Sequence, residues 1–535
     1  MRRWNGWGDE ARRMDLPPKG LAFLKERMGD GRPLPDYSLN QYLDRIPQSR
    51  FPPHPLIGVD AKLRLDHSHG QSLPDWIGMR GGIFQRFVDG VAQPTTVEQA
   101  EELLRFADDH AAIVIPYGGG TSVVGHLEVP ETGRPVLSLS LARLNRLLHF
   151  DPDCRMATFQ AGIRGPDVES HLNPKGFTLG HFPQSFEYAT LGGWVATRSS
   201  GQQSHHYGSI EQLFAGGEIL TPAGRLQLPP FPASAAGPDL RQLVLGSEGR
   251  MGVLTKVCAR ISKIPETDDI YAVFFPSWDL ALHGVQELSG SGLPFSMVRL
   301  SNPKETMTQL ALAGNKRRAA YLIRYLNRYL GLRGLREGET CMCLVGFTGT
   351  HRLAHFARHA AFKILHRYKG LSVGKAVGRA WKRNRFRSAY LRNTLWDSGY
   401  AVDTLETAVR WDKVASTLTS IEHRLKDIAD QKGERIHLFS HLSHVYPTGS
   451  SIYLTLVFRL AKTPQETLLN WKAFKHAASR AVVDAGGTIS HQHGIGLEHK
   501  YYLEAEKGIV GIHALKKLLD GLDPDRRMNP GKLVS

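Results

Sequence analysis

The apolar and polar positions change rhythm twice along the chain. Residues 1–82 read as an N-terminal arm, rich in Pro, Asp and Arg, with one short amphipathic helix around Leu21-Ala22-Phe23-Leu24 and otherwise extended or looped chain. From about residue 88 helical and strand periods interleave. Thr95 or Thr96 caps a helix that has Glu98 in its first turn and runs to about His110. Ala112 to Ile115 and Val136 to Leu139 read as strands, and Met156 to Ala161 alternates as a half-buried strand that ends at Gly162. Pro166 near a first turn opens a further helix. Near residue 270 the pattern restarts with the strand Tyr271 to Phe275. Longer helical segments then alternate with strands such as Thr340 to Phe347 and Ser451 to Phe458, which predicts a second α+β domain. Asp523 to Gly531 is a closing turn, and no internal repeat or low-complexity tract is visible.

At 535 residues, two or three domains with their own cores are expected. No apolar run of 18 residues suggests a transmembrane helix, and no apolar stretch follows Met1-Arg2-Arg3 as a signal peptide requires. Cys154, Cys258, Cys341 and Cys343 are too scattered for a disulfide framework, so a reducing compartment, the cytoplasm, is expected. Cys341-x-Cys343 puts two thiols on one strand face, which reads as core packing rather than metal binding. The formal charge of +16 suits anionic partners. Much of it is concentrated in Lys316-Arg317-Arg318, Arg324, Arg328, Arg333 and Arg336, beside Tyr321, Tyr325, Tyr329, Leu326 and Leu330, and again from Lys363 to Arg392. Such helices suit a membrane surface or a solvated face equally. No zinc-finger spacing or RNA-recognition signature points to nucleic acid.

Ile115-Pro116-Tyr117-Gly118-Gly119-Gly120-Thr121-Ser122 is the stretch with the clearest chemistry. Consecutive glycines after a strand let backbone N–H groups form an anion nest, and two hydroxyls follow as donors. The pattern is neither Walker A nor the spaced glycines of a dinucleotide fold. Two more glycine-bearing segments, Gly180 to Thr197 and Leu245 to Leu254, read as loops edged by short strands. Three such segments together suit a pyrophosphate-containing dinucleotide, which needs several backbone contacts.

In this order and spacing the three segments resemble the flavin-binding half of the vanillyl-alcohol-oxidase-type FAD oxidoreductases. Further motifs are similar to the alkyldihydroxyacetonephosphate synthase family within it: Trp4-Asn5-Gly6-Trp7-Gly8, Gly192-Gly193-Trp194-Val195-Ala196-Thr197-Arg198, Gly246-Ser247-Glu248-Gly249, Leu405-Glu406-Thr407 with Trp411-Asp412, and Gly486-Gly487-Thr488-Ile489-Ser490-His491. The resemblance implies an α+β fold: a two-part FAD-binding domain (83–268, with a C-terminal segment 506–535 returning to it) and an α+β cap domain (269–505). It implies noncovalent FAD held by Pro116, Tyr117, Gly118, Gly119, Gly120, Thr121 and Ser122, by His181, and by Gln184, Ser185, Phe186, Glu187, Tyr188, Ala189 and Thr190. Thr197, Arg198, Ser199 and Ser200, and Glu248, Gly249, Arg250, Met251, Gly252, Val253 and Leu254, complete that set. Members often carry an acid where Gln184 stands here.

The family reaction replaces the acyl group of acyl-dihydroxyacetone phosphate with a fatty alcohol through a flavin N5 adduct, in ether lipid biosynthesis. Such a site needs a proton-moving group, a cation for the phosphate and an apolar channel. By resemblance, Tyr453, His491, His493 and Arg299 are catalytic and Arg392 binds substrate. Gln492 occupies the middle of the family's histidine triplet, where an amide bonds but does not shuttle protons. By pattern alone Tyr453 could be a packed core residue, Arg392 one cation of a basic run and Arg299 an ion-pair partner. His441-x-x-His444 lacks the spacing and the acid of a metal site. The implied partners are a lipid-like phosphorylated substrate and a fatty alcohol, with peripheral membrane contact and a homodimer left open. The rival readings are an FAD-dependent D-2-hydroxy acid dehydrogenase, whose metal-binding Gly-Asp-Gly-Asn core is absent from Ser440 to Gly449, and a non-enzymatic flavin-binding protein.

Overall fold

The computed structural model describes residues 2–313 and 317–534, without the side chains of 313, 317–320 and 322. Lys316, and the side chains of Arg317 and Arg318, therefore lie outside the described residues. The N-terminal half carries two larger sheets and one two-stranded sheet, Phe177–Thr178 with Ser262–Lys263. In the first, the strands Ile57–Gly58, Gly90–Ala92, Val136–Ser140 and Ile113–Tyr117 lie side by side in that order. The arm is therefore woven into this sheet, since Ile57 pairs with Ala92. The second sheet orders Leu147–Asp151, Met156–Gln160, Val253–Arg260, Phe214–Thr221 and Gly224–Leu228. Leu139, Phe159, Trp194, Phe214 and Val253 meet in the core between them.

Two local expectations change. The arm contains four helices, Pro18–Met28, Leu39–Leu43, Ala61–Asp66 and Leu73–Gly81. Capping boxes start two of them: Ser38 with Gln41 and Ser72 with Asp75 exchange side-chain and backbone hydrogen bonds. The segment around Gly192 is not a loop but the helix Leu191–Thr197, N-capped by the Thr190 hydroxyl. A Cβ on Gly192 would stand 2.7 Å from the Ala161 side chain, so glycine is needed there for helix-on-strand contact.

The C-terminal half is built on one large antiparallel sheet. Its strands run Leu371–Ser372, Thr267–Phe275, Cys341–Gly349, Met297–Ser301, Ile436–Leu442, Gly449–Arg459 and Tyr400–Arg410, with Val445–Tyr446 paired beside them. One face packs against the helices Trp278–Gly290, His351–Arg367, Val414–Gln431 and Pro464–Asp484. Cys341 and Cys343 both point into that core and are free thiols. The other face turns toward the N-terminal half. The chain end returns there too: Val114 N–H donates to Arg527 O, and Asn529 N–H donates to Val114 O. On the helix Arg317–Leu332, Leu330 is buried while Tyr321 and Tyr325 are exposed. No helix among the described residues is long and apolar enough to cross a membrane.

Candidate cofactor and active site

Register brings four separated residues into one row on the sheet's inner face. Tyr453 pairs with His441 on one side and with Glu406 on the other. His441 pairs with Ser301, two residues from Arg299, and side chains two apart on a strand share a face. The His441 and Tyr453 rings are stacked with centroids 4.8 Å apart. Arg299 Nη2 donates to Glu305 Oε1 at 2.7 Å, and His441 Nδ1 lies 3.1 Å from Arg299 Nη2 and 3.0 Å from Glu305 Oε2. Burial alone would raise the Glu305 pKa; the His441 and Arg299 charges outweigh it and hold the carboxyl down at about 2. Burial pushes the Tyr453 phenol up to about 12, against a hydrogen bond with Thr404.

Glu406 acts on the histidine-bearing loop through its backbone. Its Oε1 accepts the N–H groups of Gln492 (2.6 Å) and His493 (2.7 Å). His493 thereby stands edge-on to Tyr453, with ring centroids 5.9 Å apart. Glu248 does the same one turn later, accepting from the N–H groups of Ile495 and Gly496. His444 donates from Nε2 to the carbonyl of Gly201, because a carbonyl can only accept, and Ser443 Oγ lies 3.0 Å from its Nδ1. Arg392 is a half-buried cation: Nη1 donates to the Gln71 carbonyl at 2.6 Å and the guanidinium lies 4.3 Å above the Trp76 ring. It has no ion-pair partner among the described residues, its Nε has no hydrogen-bond partner there, and burial lowers its pKa to about 10.

These groups border a cavity of about 1590 Å³ between the two halves. That exceeds the ~300–1,000 Å³ typical of small-ligand pockets and leaves room for a dinucleotide and a long chain together. The glycine turn Gly118–Gly120 forms part of its wall, as do apolar side chains including Leu16, Phe23, Leu326 and Trp381. A Cβ on Gly119 would stand 2.0 Å from the Tyr188 carbonyl oxygen, and Gly120 has φ +65°. The turn is thus kept bare by its own neighbours as well as for a ligand. The indole Nε1 of Trp194, also on the wall, is buried without a partner among the described residues. A bare glycine nest, an orphaned donor and this volume fit FAD.

Of the residues expected to hold the cofactor, Pro116 to Ser122, Gln184, Ser185, Ala189, Thr190, Thr197, Ser199, Ser200, Glu248, Gly249, Met251, Gly252 and Leu254 line the cavity. Eight expected site residues stand off the wall. His181 lies behind Ser199, its Nε2 3.2 Å from that hydroxyl. Phe186 is stacked between Trp194 and Phe386. Glu187 pairs with Arg12, and the Tyr188 and Tyr390 hydroxyls are 2.8 Å apart. Arg198 turns away to Glu211. Arg250 and Val253 are buried in the fold. His491 bonds the Tyr446 hydroxyl at 2.6 Å, its ring 4.8 Å from that of His444. Ser122 is not a free donor, because its Oγ lies 2.8 Å from His126 Nδ1 and accepts the His126 N–H. Tyr453, His493, Arg299 and Arg392 do line the cavity, with Gln492. Glu305, the His441–Arg299 partner, had no signal beyond its place six residues after Arg299.

The sequence model for the C-terminal domain of FAD linked oxidases matches residues 264–533, and that for an FAD binding domain matches residues 88–228. An alkyldihydroxyacetonephosphate synthase of Caenorhabditis elegans is 32% identical over 87% of this chain and 79% of its own length. One of Dictyostelium discoideum is 28% identical over 99% of this chain and 93% of its own. A solved alkyldihydroxyacetonephosphate synthase structure superposes with a TM-score of 0.85 at 26% identity, covering 99% of this chain and 97% of that one. With a relative above three-tenths identity across most of both chains, and with the cavity arranged as described, the chain belongs to the alkyldihydroxyacetonephosphate synthase family of FAD linked oxidases.

Proposed function

We propose that this protein binds FAD noncovalently and exchanges the acyl group of an acyl-dihydroxyacetone phosphate for a fatty alcohol, releasing a fatty acid. The observation that carries the reading is Arg392. It is a half-buried guanidinium whose Nε is shut off from solvent without a partner and which has no ion-pair partner among the described residues, on the wall of a cavity that also holds a glycine nest and a long apolar lining. Burying an unpaired cation is costly, and a bound phosphate dianion offsets that cost.

Bound FAD would supply the reactive centre that takes the place of the acyl group, with no net redox change. The chain's own residues do the rest in this reading. Arg392 anchors the phosphate. Tyr453, which keeps its proton through the neutral range, donates a hydrogen bond to the oxygen that develops charge as the carboxylate leaves. His493, held by Glu406, lies beside Tyr453 to move the substrate proton. Arg299 and Glu305 fix the His441 ring that stacks on Tyr453. The apolar wall takes the acyl and alkyl chains in turn. Gln492 contributes its backbone N–H to the loop, so its side chain need not shuttle protons. We further propose a lipid surface as the source of the chains. Ile323 and Leu326 of the Arg317–Leu332 helix line the cavity, while Tyr321 and Tyr325 of the same helix are exposed beside Arg324 and Arg328.

The test is product analysis. Purified protein given FAD, palmitoyl-dihydroxyacetone phosphate and hexadecanol should release palmitate and hexadecyl-dihydroxyacetone phosphate in equal amounts. Acyl hydrolysis without ether product would contradict the reading.

A further inference from the structure

The C-terminal tail carries a polar group that the sequence did not single out. Asn529 is 2% exposed and stands on the wall of the cavity near the glycine turn and the Glu248 loop. Its backbone is fixed, since its N–H donates to the carbonyl of Val114, the second residue of the strand Ile113–Tyr117 that feeds the glycine turn. Its φ of +40° falls in the region that asparagine tolerates better than most residues. The amide group is fixed too. Nδ2 donates to the carbonyls of His126 (3.1 Å) and Glu248 (2.8 Å). Reversing the amide would set an oxygen against two carbonyl oxygens, so the orientation is determined by chemistry. Both N–H bonds are then spent, and Oδ1 is left buried with no partner among the described residues.

A buried acceptor without a donor is costly, and a ligand donor satisfies it. The neighbouring side chains do not serve. The Ser122 hydroxyl is engaged with His126, and His126 Nε2 lies 3.2 Å from Glu248 Oε1. We infer that Asn529 Oδ1 is a hydrogen-bond acceptor for an O–H or N–H group of bound FAD, so that the C-terminal tail contributes directly to the cofactor site. This rests on the reading of the protein as a flavoprotein. It assigns a binding role to the tail beyond closing the fold, and it makes tail docking and cofactor binding favour each other.

The experiment measures FAD affinity of the apoprotein by flavin fluorescence, and the melting temperature with and without FAD, for the wild type, Asn529→Ala and Asp523→Asn. Asp523 accepts the N–H groups of Arg527 and Met528, so Asp523→Asn loosens the tail while leaving Oδ1 in place. The expected result for Asn529→Ala is a Kd for FAD raised roughly tenfold or more, with a smaller FAD-induced rise in Tm. Asp523→Asn should lower the Tm of apoprotein and holoprotein together and leave the FAD-induced rise intact. Repeating the titration with FMN and with ADP locates the donor, because only the half that carries it loses affinity. If Asn529→Ala lowers both melting temperatures equally and leaves the Kd for FAD unchanged, the residue only anchors the tail and the inference fails. If the wild type itself does not bind FAD, the flavoprotein reading fails with it.

Discussion

Tyr453 and His441 occupy paired positions on neighbouring antiparallel strands, and their rings stack at 4.8 Å with an interplanar angle of 24°. The far side of His441 is held by Arg299 and Glu305, so the phenol is positioned through a chain of buried contacts rather than by one neighbour. In the proposed reaction Tyr453 must keep and donate its proton. Tyr453→Phe removes only the hydroxyl and keeps the stack. It should leave FAD bound, read as an unchanged flavin spectrum, and lower kcat by about 10²- to 10⁴-fold. Full turnover in the variant would remove Tyr453 from the chemistry.

Arg392 combines a carbonyl bond, a Trp76 stack and an uncommitted Nε. Arg392→Ala should raise KM for a phosphorylated substrate by about 10²-fold or more, and that for an unphosphorylated analogue far less. Arg392→Lys should recover little, because an ammonium does not reproduce the planar stack. Equal effects on both substrates would show that Arg392 does not hold phosphate.

Glu406 holds the Gln492–His493 backbone with one carboxylate oxygen. Hydrogen bonds to a charged acceptor contribute about 1.5–3 kcal/mol each, so Glu406→Ala should both lower Tm and cut kcat. Glu406→Gln keeps a carbonyl in reach of both amides and should restore most of the stability. A kcat unchanged in Glu406→Ala would mean that the loop is placed by other contacts.

Acid should weaken the fold before it protonates most carboxylates. Burial, and then the charge of His444, pushes the pKa of His181 down to about 3, and the same causes bring His205 to about 3, both from 6.5. Below pH 6.5 the unfolded chain takes up protons that the folded chain refuses, so stability is full above pH 6.5 and falls toward pH 3. At pH 5 each group accounts for a loss of about 2 kcal/mol. Glu305 has the opposite protonation preference. Its folded carboxyl stays ionised down to about 2, and the stability it adds is lost between its unfolded value of 4.5 and that point. Melting temperature measured from pH 7 to 5 should therefore drop steadily, and His181→Gln should flatten the slope. A flat wild-type profile would contradict the buried, neutral assignment.

The parts of the site that the sequence displays are those with local signatures. Three consecutive glycines after Ile113–Tyr117 announce a bare turn, and alternation around Ser451–Phe458 places Tyr453 on a strand. The helix Leu191–Thr197 was hidden because Gly192 and Gly193 depress helix propensity, while its real support, the flush contact with Ala161, is tertiary. The helix around Leu21–Leu24 was legible and is Pro18–Met28, whereas Leu39–Leu43 and Leu73–Gly81 were hidden for a different reason: Ser38-x-x-Gln41 and Ser72-x-x-Asp75 are capping signals that short, Pro-rich segments mask. Glu406 stands out as an acid inside the apolar strand Tyr400–Arg410, a visible cue whose partner loop, 86 residues away, only the fold supplies. Asn529 and Glu248 act through backbone groups of distant segments, and no spacing rule encodes that.

The proposed reaction requires a flavin site that responds to an acyl phosphate and not to a hydroxy acid. Anaerobic absorbance of the FAD-loaded protein tests it most directly. Palmitoyl-dihydroxyacetone phosphate should diminish the oxidised flavin band, and a fatty alcohol should restore it without any electron acceptor, while D-lactate should leave the band unchanged. Bleaching by D-lactate, reversed only by an electron acceptor, with no response to the acyl phosphate, would contradict the account and identify a dehydrogenase.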